Sequence, residues 1–151
     1  MQAGILCIPN YLKNDLFMIK ILITGGAGNV GSSLANRLAC TGKYKVTVVD
    51  NLTTGNISKL SDLNGPHLEF IKADVNTFND ISTVIVSRAF DYVFHYAAVV
   101  GVKRTLENPI QVLQDIEGIK NILDLSKNTG VKRVFFSSSS EVYGEPVEFP
   151  Q

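Results

Sequence analysis

The sequence predicts an α/β fold built on a doubly wound parallel sheet of about five strands. Short apolar runs rich in β-branched residues alternate along the chain with longer segments of helical periodicity. Strands that are apolar almost throughout, rather than at alternate positions, are typical of a sheet that is covered on both faces. A glycine-rich turn directly after the first run is the third indication, because such a turn joins strand to helix in doubly wound sheets. Alternation of this kind implies parallel strands joined by right-handed crossovers.

The strands are placed by their apolar, β-branched composition. In chain order the predicted strands are Ile19–Thr24, Lys45–Asp50, Leu68–Ala73, Asp91–His95 and Arg133–Ser137. Residues 1–17 precede a second methionine, Met18, and lack the basic start and long apolar core of a secretory signal. We expect residues 1–17 to be an N-terminal extension and residues 18–151 to form the domain. The alternative is an N-terminal arm that packs on the domain.

Three helices are predicted between these strands. The first follows the glycine turn and repeats an apolar residue every fourth position, at Val30, Leu34 and Leu38. A weaker helix spans Asp80–Ala89. The longest begins at Pro109, with Asn108 as its cap, and ends before Gly130. One apolar face of this helix is formed by Leu113, Ile116, Ile119 and Leu123.

The composition excludes several classes of protein. With 151 residues, of which 45% are hydrophobic and 19% charged, the chain can bury a core without a disulfide or a metal. Its 14 basic and 14 acidic residues balance, which removes the electrostatic argument for a nucleic-acid or anionic-membrane partner. Cys7 and Cys40 are too few for a disulfide framework or a metal cluster, so we expect a cytoplasmic, reducing compartment. No apolar run reaches the length of a membrane span.

The glycine turn has the pattern of a dinucleotide-binding turn. Residues 24–31 read TGGAGNVG, which matches Gly-x-Gly-x-x-Gly from Gly26 and Thr-Gly-x-x-Gly-x-x-Gly from Thr24. In the Rossmann fold such glycines let the backbone approach a pyrophosphate, which meets the free N–H groups of the following helix. The alternative is that the glycines only form a turn, but the strand before and the helix after them favour a ligand site.

An acidic residue at the end of the second strand completes the dinucleotide pattern. Asp50 follows Gly31 by 19 residues (50 − 31), close to the spacing of a carboxylate that binds the adenosine ribose hydroxyls. Such a carboxylate repels a 2′-phosphate, and neither Asn51 nor Leu52 is an arginine that could bind one. The sequence therefore favours NAD over NADP. The alternative is that Asp50 only starts the turn that ends at Gly55.

Further motifs, in the same order, resemble a known family. They are DNL at 50–52, DV at 74–75, HYAA at 95–98 and SSSSEVYG at 137–144. The chain from Met18 onward resembles the extended short-chain dehydrogenases/reductases. Within that family it is similar to the NAD-dependent nucleotide-sugar epimerases and dehydratases, such as UDP-glucose and UDP-glucuronate 4-epimerases. The resemblance implies a UDP-sugar as the substrate and dimerisation through a helix pair, of which residues 109–128 would supply one member.

The resemblance also implies roles for individual residues. Contacts with NAD are implied for Gly25, Gly28, Asn29, Val30, Gly31, Asp50, Asn51, Asp74, Val75, Ala97 and Ala98. The glycines, with the backbone of Asn29 and Val30, meet the pyrophosphate, and Asp50 and Asn51 meet the adenosine ribose. Asp74 and Val75 meet the adenine, and Ala97 and Ala98 leave room near the nicotinamide.

Ser139 matches the catalytic serine of the family, which hydrogen-bonds the sugar oxygen during hydride transfer. Alternatives stay open for other polar residues: Asp74 could only cap the turn before Asn76, and the serines could form a polar loop. His95, a lone histidine at a strand end, is expected to be structural. Tyr143 is not assigned as a base.

The chain also departs from the family pattern. Asp115 stands where the family commonly has asparagine, and a buried carboxylate there needs a partner or a proton. The segment 99–103 resembles members similar to the glucuronate epimerases more than the galactose epimerases, which leaves the sugar open. None of the five tyrosines is followed four residues later by lysine, so the family's Tyr-x-x-x-Lys base is missing from these residues.

We therefore expect a truncated chain that holds the NAD-binding part, lacks the last strands and the substrate domain, and is inactive alone. An unfinished parallel sheet exposes an apolar edge, so we also expect self-association. Two alternatives stay open. One is a non-catalytic NAD-binding or interaction module, and the other is a reductase or dehydrogenase for another substrate.

Overall fold

The computed structural model describes residues 18–61, 63, 65–98, 106–107, 109–138 and 144. Its elements are β1 (Ile19–Thr24), α1 (Asn29–Cys40), β2 (Tyr44–Asp50), a 3₁₀ helix (Ile57–Lys59), β3 (Leu68–Lys72), α2 (Phe78–Arg88), β4 (Tyr92–His95), α3 (Pro109–Thr129) and β5 (Arg133–Phe136). The predicted extension 1–17, the segment 99–103, Ser139 and Tyr143 lie outside the described residues.

The strands form one parallel sheet, which confirms the predicted fold. Their order is β3-β2-β1-β4-β5, and every neighbouring pair is parallel. The direction of the strand order reverses between β1 and β4, and ligands bind at such a point in doubly wound sheets. The predicted strands Leu68–Ala73 and Arg133–Ser137 each end one residue earlier than expected.

Helices cover both faces of the sheet. On one face α1 packs on Ile21, Ile23 and Val48, and on the other α2 and α3 pack on Leu22 and Val93. This two-sided burial explains why successive residues of β1 and β2, and not alternate ones, are buried.

The buried face of α1 consists of small residues. Gly31, Ser32, Ala35 and Ala39 are buried, whereas Val30 is 66% exposed. Leu34 and Leu38 lie beside the core and are only partly buried. The apolar repeat therefore identified the helix but not its buried stripe. Small residues on that stripe let α1 lie close to the sheet, whereas Val30 in the first turn is exposed.

The outer face of α3 is apolar and exposed. Leu113, Ile116 and Leu123 of the predicted apolar face are each more than half exposed, whereas Ile122 is fully buried. Phe136 on β5 is also exposed. These surfaces agree with the reason given for self-association, which stays a prediction. In the described residues, no helix has the length and apolar character needed to cross a bilayer.

The bounds of α3 agree with the sequence, and its predicted cap, Asn108, lies outside the described residues. The helix begins at Pro109 and is followed by Gly130, whose φ of +78° places it in the left-handed region. Within the helix, Asn121 Nδ2 donates to the Val75 carbonyl at 3.0 Å. A Cβ on Gly118 would lie 2.6 Å from Asn76 Oδ1. The helix therefore fixes the turn that follows β3, where Asp74 and Val75 lie.

Substitutions of adjacent residues in α3 test this packing. Ile122→Ala removes a fully buried side chain, so we expect the free energy of unfolding to fall by about 2–5 kcal/mol. Leu123→Ala is the matched control, and because Leu123 is 51% exposed its effect should stay within about 0.5 kcal/mol. Urea denaturation at low protein concentration, followed by circular dichroism, measures both. Equal losses in the two variants would contradict the orientation of α3.

Candidate functional site

The residues that the sequence predicts to contact a cofactor line two cavities that share Gly25, Asp50 and Asn51. The larger cavity, of about 530 Å³, lies at the carboxyl ends of β1, β2 and β4, and is lined by Gly25, Gly28, Asn29, Val30, Gly31, Asp50, Asn51, Thr54, Lys59, Tyr96, Ala98 and Ser137. The smaller, of about 50 Å³, is lined by Gly25, Val49, Asp50, Asn51, Ala73, Asp74, Val75, Asn76, Ala97 and Asp115. Every predicted cofactor residue therefore lines one cavity or the other.

The glycine turn brings the start of α1 against the end of β1. Gly25 has a φ of +65°, and a Cβ there would lie 2.6 Å from the Ala97 backbone nitrogen. A Cβ on Gly31 would lie 2.6 Å from Gly26 Cα. Side chains at these positions are excluded by backbone atoms, which cannot move aside as a flexible side chain could.

The first turn of α1 provides backbone N–H groups at the larger cavity. Gly28 occupies the N-cap position, and no side-chain hydrogen bond caps the helix. Asn29 and Val30 begin the helix, so their N–H groups have no acceptor within it. The first turn contains no acidic residue, so nothing on it opposes an anion.

Asp50 joins the second strand to the glycine turn. Its side chain is buried, Oδ2 accepts from the Ala27 N–H at 2.9 Å, and Oδ1 accepts from the Leu52 N–H at 2.8 Å. The second bond forms the turn that the alternative interpretation of Asp50 expected. Each carboxylate oxygen has a further lone pair, so this bonding leaves acceptor capacity for a ligand hydroxyl group.

Asp74 lies opposite Asn51 across the smaller cavity. Asn51 Nδ2 donates to Asp74 Oδ2 at 3.1 Å, and Asp74 Oδ1 accepts from the Asn76 N–H at 2.9 Å. The turn-capping interpretation of Asp74 is therefore confirmed, and its contact with an adenine stays a prediction. The pair joins the ends of β2 and β3 above the sheet.

His95 is a structural residue beneath the site. Its side chain is 2% exposed, and Nδ1 is hydrogen-bonded to Thr24 Oγ1 at 2.7 Å, which joins the carboxyl ends of β1 and β4. Burial lowers the pKa of His95 to about 4, and the Asp115 carboxylate opposes this shift. His95 is therefore neutral at pH 7, and the structural interpretation made from the sequence is confirmed.

Two residues at the site, Gly55 and Lys59, were not predicted from the sequence. A Cβ on Gly55 would lie 2.7 Å from Asp50 Oδ1, so a glycine is needed beside this carboxylate. Lys59 lines the larger cavity, and its Nζ donates to Asn29 Oδ1 at 2.8 Å. Both lie in the connection between β2 and β3. The sequence pattern signals a turn there but does not indicate which side chains face the cavity.

Comparison with known proteins agrees with this geometry. A sequence profile of the NAD dependent epimerase/dehydratase family matches residues 21–151. UDP-arabinose 4-epimerase 1 of Arabidopsis thaliana is 35% identical over 146 residues, which cover 93% of this chain and 35% of that protein. UDP-N-acetyl-alpha-D-glucosaminuronate decarboxylase of Bacillus cytotoxicus is 39% identical over 129 residues, which cover 83% of this chain and 38% of that protein.

A solved structure shows the same fold. It is the UDP-glucose-4-epimerase from Stenotrophomonas maltophila with bound NAD and formylated UDP-arabinopyranose. It is 30% identical, with a TM-score of 0.77, over 88% of this chain and 40% of that one. The chain thus spans between about a third and two fifths of the length of these relatives.

The buried His95 predicts a loss of stability in mild acid. Its pKa in the folded state lies below its ordinary value of 6.5, so protonation favours the unfolded state. The contribution is complete above about pH 6.5 and is lost as the pH falls toward 4. Between pH 7 and pH 5 we expect it to account for about 2 kcal/mol of the free energy of unfolding.

Urea denaturation across this pH range measures the effect in wild type and in His95→Asn. The variant should lose much less stability between pH 7 and pH 5, whatever its stability at pH 7. A His95→Asn slope equal to that of wild type would show that the imidazole is not buried as described.

Proposed function

The chain belongs to the NAD dependent epimerase/dehydratase family, and we propose that it is the NAD-binding portion of an enzyme that acts on a nucleotide sugar. The relatives are named for UDP-sugars, which favours a UDP-sugar as the substrate class. The observation that supports the proposal most directly is the grouping of all eleven predicted cofactor residues around two adjoining cavities at the carboxyl edge of the sheet.

The residues present fit the cofactor. Gly25 and Gly31 let the turn pack closely on the backbone at Ala97 and Gly26, which leaves the start of α1 at the larger cavity. The N–H groups of Asn29 and Val30 would donate to a pyrophosphate bound there. Asp50 and Asn51 would accept hydrogen bonds from the hydroxyl groups of the adenosine ribose and so position it. Asp74 and Val75 are assigned to the adenine, and Ala98 in the larger cavity to the nicotinamide end. Ala97 lines the smaller cavity with Asp74 and Val75, so we assign it to the adenosine instead of to the nicotinamide, which the family resemblance implies.

When bound, NAD supplies a nicotinamide ring that accepts a hydride from a sugar carbon and can return it. Asp50 selects for this coenzyme, because its carboxylate repels a 2′-phosphate while accepting hydrogen bonds from ribose hydroxyl groups. The backbone bonds from Ala27 and Leu52 hold this carboxylate in position at the end of β2. Ser139 is proposed to hydrogen-bond the sugar oxygen, on the basis of its match to the family motif alone.

The proposal for these 151 residues stops at cofactor binding. None of their tyrosines begins a Tyr-x-x-x-Lys sequence, which provides the base in the resembled family. We propose that these residues by themselves do not turn over a UDP-sugar. The same observation favours the second candidate function, a non-catalytic NAD-binding module.

Titration with NADH and NADPH tests the function. Isothermal calorimetry on the full chain should show binding of NADH at least about tenfold tighter than binding of NADPH. Asp50→Asn removes the charge that repels the 2′-phosphate, so the preference should narrow to about threefold or less. The exposed Asp124 on α3 provides the matched variant, Asp124→Asn, which should keep the wild-type ratio.

The proposal is refuted if the wild-type chain binds neither dinucleotide at millimolar concentration. Equal affinities for NADH and NADPH would leave NAD binding intact but remove the assigned role of Asp50. The same preparations, loaded with NAD, can be assayed with UDP-sugars. Turnover by wild type would disprove the proposed inactivity and exclude the non-catalytic module.

A further inference from the structure

Lys59 is held above the start of α1 by contacts on several sides. Its carbonyl oxygen accepts from Asn36 Nδ2 at 2.8 Å, and Asn36 Oδ1 accepts from the Ser61 N–H at 3.0 Å, so one side chain of α1 binds the backbone on both sides of Leu60. Upstream, the Asn56 N–H donates to the Ala27 carbonyl in the glycine turn at 3.0 Å. The 3₁₀ helix between these points is therefore attached to both the turn and the helix that follows it.

The ammonium group of Lys59 lies at the larger cavity. Its Nζ donates to Asn29 Oδ1 at 2.8 Å, and Asn29 is the first residue of α1. Both residues line the cavity together with Gly28 and Val30. The lysine is otherwise exposed, so its position is set by its backbone attachment and by this one hydrogen bond.

The charge of this group matters because of what else lines the cavity. Among the described residues that line it, Asp50 is the one with an anionic side chain and Lys59 the one with a cationic side chain. The backbone N–H groups of α1 provide partial charges, not a net charge. Without Lys59 an anionic diphosphate would enter a cavity whose lining has a net negative charge.

We propose that Lys59 binds the diphosphate of the dinucleotide, with Asn29 as the residue that positions its ammonium group. The proposal rests on the proposed function and deepens it. From the sequence, only the backbone of the glycine turn and the N-terminus of α1 were expected to bind the diphosphate. The proposal adds a side-chain cation from the β2–β3 connection. The lysine contact supplements the N–H groups with a charge that they lack.

The alternative is that Lys59 is only a surface lysine that hydrogen-bonds Asn29. The two interpretations differ in what the lysine does to ligands with and without phosphate. A surface role leaves the affinities for ADP and for adenosine unchanged, whereas a diphosphate contact affects ADP alone.

The experiment compares the full chain with Lys59→Gln, Lys59→Arg and Lys43→Gln by calorimetric titration with NADH, ADP and adenosine. Lys43 is exposed and precedes β2, at the opposite edge of the sheet, so its variant is the matched control. Lys59→Gln should lower the affinities for NADH and ADP about fivefold and leave the affinity for adenosine unchanged. Lys59→Arg should stay within about twofold of wild type for all three ligands, and Lys43→Gln should match wild type.

The salt dependence of binding gives a second measurement. Because a fixed charge is screened by salt, ADP affinity should fall less steeply with ionic strength in Lys59→Gln than in wild type. Urea denaturation of each variant confirms that an exposed substitution has not unfolded the chain.

The outcomes separate the two proposals. A wild-type chain that binds NADH, with Lys59→Gln binding ADP equally well, refutes the role of Lys59 and leaves the proposed function in place. Equal weakening of ADP and adenosine also refutes it, because the effect would then not involve phosphate. A wild-type chain that binds none of the ligands overturns the proposed function and the role of Lys59 together.

Discussion

The close approach of backbone to backbone at the glycine turn is the constraint on which the site depends. Any side chain at Gly25 would overlap the backbone at Ala97, and one at Gly31 would overlap Gly26. These contacts fix the start of α1 against the carboxyl ends of β1 and β4. The helix then directs its free N–H groups into the cavity instead of into the core. Every other group at the site is positioned relative to this turn.

The turn also determines where the β2–β3 connection runs. Ala27, at its centre, donates its N–H to Asp50 and accepts from the Asn56 N–H with its carbonyl oxygen. One buried residue thereby holds both the acidic end of β2 and the segment that leads to Lys59. Loss of the close approach would remove one support from the carboxylate and one from the segment that leads to the lysine, while the Leu52 N–H still holds Asp50 and Asn36 still holds Lys59.

The sequence predicts those features that depend on local spacing. Gly25, Gly31 and Asp50 could be identified because a strand, a turn and a helix of fixed geometry determine their separation. The parallel sheet could be predicted from strand composition, because strands that are buried on both faces consist mostly of apolar residues. Even the structural role of His95 could be expected from its position at a strand end.

Features that depend on packing between distant segments were not predictable. Lys59 reaches the cavity because Asn36 binds the backbone around Leu60, a contact that leaves no periodic signal. The buried stripe of α1 was missed because large apolar residues dominate a periodicity, whereas close packing selected Ala35 and Ala39. On α3 the apolar face visible in the sequence is the exposed one.

The two cavities differ in charge, and this difference favours the larger cavity for a phosphate group. The larger one combines a helix N-terminus with Lys59, an environment that favours phosphate. The smaller one is lined by the carboxylates of Asp50, Asp74 and Asp115, an environment that repels phosphate and accepts hydrogen bonds from N–H and O–H groups. In the proposed complex the adenosine, with its amino and hydroxyl donors, belongs at the smaller cavity and the diphosphate at the larger. The neutral His95 beneath the site contributes no net charge that could offset this difference, so the charges that line the two cavities favour the larger one for the diphosphate in the proposed complex.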